Sequence, residues 1–170
     1  MTGPDQVVNT DVGASPVTAQ TGGAAAAASP RWIEAREQLA RTFKLAKQTD
    51  DLVALVWQIP SPQGSVLQWV RISPVHVQDQ IWLVILADIC PEAGMNPASA
   101  LAYLNQLALG GILLWRGAYL LRQMVPLAHF DLRGLDSLVR SVAHEALRLR
   151  LGLRGGSLTL DPQLLQMFGE

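Results

Sequence analysis

His76, His129, His144 and Cys90 are the side chains of this sequence best suited to holding a metal ion or moving a proton. Protein zinc sites recruit such residues at short repeated spacings, Cys-x-x-Cys or His-x-x-x-His, because one turn or hairpin must aim two ligands at one ion. No pair here has that spacing. His129 precedes a helix start and His144 falls among polar helix positions, so both read as surface or packing residues, and Cys90 reads as a small buried apolar group. Acid–base work by Asp50-Asp51, or by Asp88 with Glu92, would need the carboxylates to converge in a cleft, and a helix end and a strand edge account for them equally. No Gly-x-Ser-x-Gly elbow, phosphate loop or dinucleotide fingerprint occurs; Gly110-Gly111 follows a helix, whereas phosphate cradles follow a strand. No catalytic residue, metal ligand or cofactor site is therefore expected.

The sharpest electrostatic feature lies between Arg116 and Arg154, where seven Arg face only Asp131, Asp136 and Glu145. Arg140, His144 and Arg148 recur at four-residue spacing, which places them on one helix face, opposite an apolar stripe. That face is either simply solvated or suited to a carboxylate-rich protein segment. Over the whole chain, 13 Lys and Arg against 14 Asp and Glu leave a formal charge of -1, which gives no general attraction for nucleic acid.

The elements that must position these residues come from a chain of 170 residues, 49% hydrophobic and 16% charged, a composition that suits one folded domain. A single Cys excludes an internal disulfide and suits a reducing cytoplasm. The first thirty residues hold Asp5 and Asp11 but no Lys or Arg ahead of Arg31, unlike a secretory leader. Gly94 to Trp115 is uncharged and nearly long enough to span a bilayer, but Asn96, Pro97, Ser99, Asn105, Gln106 and Gly110-Gly111 favour a buried helix followed by a strand.

Residues 1–29, poor in large apolar side chains, read as a flexible arm. Ser29-Pro30 marks a helix start, with Ser as N-cap and Glu34 in the first turn; Trp32, Leu39, Phe43 and Ala46 carry the helix to about Lys47, where Thr49-Asp50-Asp51 ends it. Three strands follow: Leu52 to Ile59, closed by a turn over Pro60 to Gly64; Val66 to Val77; and Ile81 to Ile89, apolar on both faces and so the most buried. In the second, Val66, Gln68, Val70 and Ile72 share one face and Leu67, Trp69 and Arg71 the other, while Pro74 marks an edge or bulge.

Asn96-Pro97 starts a second helix with Ala100, Leu101, Leu104, Leu107 and Ala108 on its apolar side, ended by Gly110-Gly111. Ile112 to Trp115 and Ala118 to Met124 then flank Arg116-Gly117, the spacing of a tight hairpin. Asp131 caps a last helix in which Leu135, Leu138, Val139, Val142, Ala146 and Leu149 recur, ended by Gly152 and Gly155-Gly156. The folded unit is thus 30–154. Residues 155–170, with Leu158, Leu160, Leu164, Leu165, Met167 and Phe168, form a tail too apolar for an idle linker, which docks on its own domain or on a partner.

The order α-β-β-β-α-β-β-α is an α+β plan, a short antiparallel sheet covered by helices. Leu101-Ala-Tyr-Leu-Asn105, Gly110, the Gly117 hairpin, Leu121-Arg122 and Pro126-Leu127, together with the Trp82-Leu83 strand, resemble the pattern of class I type III secretion chaperones and the YbjN-like family that shares their fold. The resemblance spans Pro30 to Leu151. It implies a homodimer formed through the second helix and adjoining strands, with contacts at Leu101, Leu104, Asn105 and Trp115, and surfaces that hold an extended segment of another protein without catalysis. This chain departs from the family in being near neutral, in its Arg-rich last helix and in its longer N-terminal arm.

The expected role is a non-enzymatic adaptor or chaperone-like protein, with Leu67, Trp69, Arg140, Arg148, Leu164 and Phe168 as partner contacts. The alternative is a peripheral membrane or assembly factor that uses the apolar tail.

Overall fold

The computed structural model describes residues 26–61, 64–107 and 110–155. Six strands form one antiparallel sheet in the order β1-β2-β3-β4-β6-β5: β1 (Leu45–Gln48), β2 (Val53–Ser61), β3 (Gly64–Val77), β4 (Gln80–Pro91), β5 (Gly111–Trp115) and β6 (Ala118–Pro126). Three helices of eight or more residues lie within the described residues: α1 (Pro30–Thr42), α2 (Pro97–Leu104) and α3 (Leu135–Gly155). The α+β plan is as expected, with one strand more than the sequence suggested.

That strand is β1, which replaces the last turn assigned to the first helix. Phe43 is already extended, at φ -124° and ψ 150°, and Leu45 pairs with Leu55 across the β1–β2 ladder. Thr49-Asp50-Asp51 therefore forms the turn between β1 and β2, closed by the Thr49 N–H donating to the Leu52 carbonyl at 2.8 Å. The turn is held to α1 by the Trp32 indole, which donates to the Asp50 carbonyl, and by Arg36, which reaches the Thr49 carbonyl at 3.1 Å and the Asp50 carboxylate at 2.7 Å. Ser29 stands at the N-cap of α1, but its side chain makes no capping bond, and Glu34 pairs with Arg31 at 2.8 Å rather than with the helix start. Asn96 does cap α2, accepting from the Ser99 N–H at 2.8 Å. Asp131 accepts from the Arg133 N–H at 3.0 Å and so caps the short turn Leu132–Gly134 that leads into α3.

Two prolines sit in the ladder where only one neighbour is present. Pro60 lies in β2 beyond the Val53 to Leu55 stretch that pairs with β1, and Pro74 lies in β3 beyond Ile72, the last residue paired with β2. A missing N–H costs little at such local edges. The strands also run into the assigned turn, since Pro60 pairs with Ser65 and Ser61 with Gly64. Arg116 and Gly117 both take positive φ, 51° and 75°, the geometry of the tight hairpin expected there. The second helix stops at Leu104, before Leu107, and the last helix continues past Gly152 to Gly155.

All three helices lie on one face of the sheet. The core joins Trp32 and Leu39 of α1, Ala100 of α2 and Leu135, Val139, Val142 and Ala146 of α3 to alternate strand residues: Val53 and Leu55, Val70 and Ile72, Leu83, Ile85, Ala87 and Ile89, and Tyr119 and Leu121. The intervening strand residues do not join this cluster, except Cys90 beyond the irregularity between Asp88 and Cys90. β4 is the central and most buried strand, as its two apolar faces suggested. Gly94 to Trp115 resolves into a short turn, α2 and β5, and among the described residues no helix is long and apolar enough to cross a membrane. Of the N-terminal arm, residues 26–29 are described, and Ala26 is buried. The remainder of the arm, and the apolar tail from residue 156 with Leu164 and Phe168, lie outside the described residues.

Candidate functional site: the uncovered face of the sheet

Alternation along the strands sends half of their side chains away from the helices. In β3 these are Leu67, Trp69, Arg71, Ser73 and Val75; register places Val56 of β2 opposite Trp69, and Leu86 of β4 opposite Arg71. Across the sheet the same face continues through Trp82 and Met124 to Leu113 and Trp115. Leu67 is 50% exposed, Trp69 39% and Trp115 41%, so large apolar groups meet solvent on a face that none of the described helices covers. Ala54, Val84 and Leu120 are buried on this side although they belong to no helix-packed cluster.

Next to Trp69 this face sinks into a depression of about 480 Å³ bordered by Ala46, Lys47, Ala54, Arg71 and Asp88. Arg71 and Asp88 approach to 3.7 Å across it and both remain partly exposed, so their pairing is a weak, screened one. Lys47 adds a second cation from the edge strand.

Behind this depression the sheet opens. β3 and β4 pair from Val77–Gln80 to Val70–Ala87 and no further. The carbonyls left without a ladder partner are taken up by side chains from the helix-covered face. Arg150 donates to the carbonyls of Ile89 at 2.7 Å, Leu67 at 2.8 Å and Asp88 at 3.0 Å, and Gln68 donates to Asp88 at 3.0 Å and to Trp69 at 3.2 Å. Gln68 is fully buried. A buried, unmet carbonyl costs of the order of 1–3 kcal/mol, so the guanidinium here stands in for missing strand partners. Sequence reading did not single out either residue, though both carried a signal: each is a polar residue inside an apolar stripe, Gln68 between Val66 and Val70, and Arg150 four residues after Ala146.

The predicted contact residues fall into three places. Leu67 and Trp69 stand together on the uncovered face. Arg140 and Arg148 belong to α3, on the other side of the sheet, and both are engaged: Arg140 lies 5.1 Å over the Phe43 ring, and Arg148 forms a two-pronged ion pair with Glu145 at 2.5 and 2.9 Å. The Glu145 hydrogen bond raises the Arg148 pKa further, against the opposing effect of its partial burial. Leu101, 64% exposed, Leu104 and Asn105 lie on and just after α2, which packs near the free edge strand β5 that ends in Trp115. Arg116 stacks on that indole, 4.4 Å from its centroid.

Among the described residues no three His, Cys, Asp or Glu side chains gather as a metal site would require. Cys90 borders a second hollow, of about 370 Å³, with Ile89, Pro91, Gly94, Arg150 and Leu153. Burial raises its thiol pKa, opposed by the Arg150 charge, so the group there is a neutral thiol.

No protein family matches this chain, and no curated protein does. Among solved structures it is similar to a chain of the crystal structure of the ExsC–ExsE complex, at 11% identity and a TM-score of 0.48, over 72% of this chain and 92% of that one.

Proposed function

We propose that this chain is a non-enzymatic, protein-binding adaptor or chaperone-like protein that holds an extended segment of another polypeptide against the uncovered face of its sheet. The observation that carries this reading is the one-sided core: among the described residues every helix packs on one face, while Leu67, Trp69 and Trp115 stand exposed on the other. Apolar burial supplies the driving force for such binding, and the cations Lys47 and Arg71 beside Trp69 favour a segment with carboxylates. The same reading makes the chain a homodimer through α2 and β5, where Leu101 and Trp115 are exposed beside an unpaired strand edge. Its setting is then the cytoplasm, which suits a lone free Cys90.

The test is capture of partners from the native host with the wild-type chain, with Leu67→Asp and Trp69→Ala, and with Arg140→Gln as a control on the opposite face. A stoichiometric protein retained by wild type and Arg140→Gln but lost from both face variants is the expected result. A partner retained equally by all four proteins overturns the assignment of the face.

A further inference from the structure

We infer that the polypeptide held on the uncovered face crosses its strands as an acidic polyproline II segment, with a carboxylate at every third residue. The inference rests on the proposed function and adds the chemistry and the direction of the segment that this face takes.

The strand register lines up the residues that point to it. Lys47 of β1 stands opposite Ala54 of β2, Ala54 opposite Arg71 of β3, Arg71 opposite Leu86 of β4, and Leu86 opposite Arg122 of β6. Their chain neighbours Leu55, Ile72, Ile85 and Leu121 turn to the core, so the row lies on the open face. Lys47, beyond the irregularity in β1, borders the same depression as Arg71 and Trp69. A cation therefore stands on every second strand, with a small or apolar side chain between. Lys47 and Arg122 are exposed and form no ion pair among the described residues, and Arg71 meets Asp88 only at 3.7 Å.

The spacing selects the occupant. Neighbouring strands lie about 4.8 Å apart, so the cations follow one another at about 9.6 Å. A polyproline II segment rises about 3.1 Å per residue with three residues per turn, which returns every third side chain to the same side after about 9.3 Å. A β-strand alternates sides, so its third residue along points away. The row is bordered by Trp69 and Leu120 on one side and by Val84 and Met124 on the other, apolar ground for the prolyl or aliphatic residues between the carboxylates. A nucleic acid carries a phosphate about every 3.4 Å of each strand, far denser than the cations of this row.

The experiment titrates the full chain into fluorescein-labelled peptides at low ionic strength and reads anisotropy. One peptide is Glu-Pro-Pro repeated four times; the other has the same composition with its four Glu adjacent. The spaced peptide is expected to bind at least about five-fold more tightly, because adjacent carboxylates reach one cation at a time. Lys47→Gln and Arg122→Gln are each expected to weaken it about three-fold and together about ten-fold, whereas Arg41→Gln, the same loss of charge on α1, leaves it unchanged. Equal binding of the two peptides, binding of neither, or an equal loss with Arg41→Gln overturns the inference. So does tighter binding of a thymidine oligonucleotide or of phosphatidylserine vesicles, which would assign the row to phosphate. If the inference fails while Leu67→Asp and Trp69→Ala still lose the native partner, the binding face stands and only the charge spacing of its occupant is wrong.

Discussion

The guanidinium of Arg150 lies 2.7 Å from the carbonyl of Ile89, and this bond places a helix side chain where a strand would otherwise be. Two further carbonyls, of Leu67 and Asp88, share the same guanidinium, so one residue of α3 joins the two strands that have parted. Asp88 serves both faces: its carbonyl accepts from Arg150 and Gln68 on the covered side, and its carboxylate faces Arg71 on the open side.

Replacing Arg150 is accordingly expected to cost far more than a surface arginine. Arg150→Met leaves three carbonyls without this donor, a loss of about 2–4 kcal/mol. Arg150→Lys recovers only part of it, because an ammonium lacks the planar fork that reaches several acceptors at once. Urea denaturation of the three proteins checks the order wild type, Lys, Met.

The glycines of the β5–β6 region separate two kinds of backbone demand. At Gly110, φ is 72° and a Cβ would come to 2.2 Å from the Arg122 carbonyl oxygen, whereas at Gly117, φ is 75° but no atom lies within 4 Å of that position. Gly117→Ala is expected to lose about 1 kcal/mol, from the left-handed backbone alone. Gly110→Ala adds a clash with backbone that cannot move aside and is expected to lose at least about 2 kcal/mol. Thermal unfolding of both variants tests the difference.

Part of this architecture is legible in the residues themselves. The alternation of β3, the Asn96 cap and the Arg116-Gly117 turn are local devices whose residues state their own geometry, and each is found where it was expected. β1 was not readable in that way. It has four residues, only Leu45 among them is apolar and turned to the core, and Phe43 and Ala46 imitate helical spacing; the pairing with Leu55 that decides its conformation comes from a strand later in the chain. In the sequence Arg150 is one of seven arginines between Arg116 and Arg154, and nothing in the total charge of that stretch sets it apart. Its register, between Leu149 and the stripe of Ala146, directs it to the sheet, and the opening between β3 and β4 that it fills is a property of pairing between two strands.

The two faces of the sheet should respond oppositely to truncation. Leu83→Ala or Leu121→Ala removes a fully buried side chain and is expected to lose about 2–5 kcal/mol. Trp69→Ala, on the open face, is expected to lose less than about 1.5 kcal/mol while abolishing partner capture. Denaturation midpoints read beside the capture experiment test the separation of stability from binding.

Cys90 gives a pH dependence whose sign follows from its raised thiol pKa. The folded chain keeps the thiol proton at pH values where the unfolded chain has lost it, so the contribution is complete below the ordinary thiol pKa, about 8.5, and stability falls as pH rises from there towards the folded value. Cys90→Ala is expected to flatten this alkaline decline. Urea midpoints measured from pH 7 to 10 check it.

The strand order has a consequence for the birth of the molecule. β1 to β4 are neighbours in both sequence and sheet, and β5 pairs with β6 across a two-residue turn, so only the joining of β4 to β6 spans a long stretch of chain. Local ladders of this kind form early during synthesis, ahead of distant ones. The clamp between β3 and β4 is encoded after them, because Arg150 emerges from the ribosome only after all six described strands have done so. A nascent chain therefore carries all six described strands, with β3 and β4 paired from Val77–Gln80 to Val70–Ala87, before the guanidinium that bridges their parted ends is made.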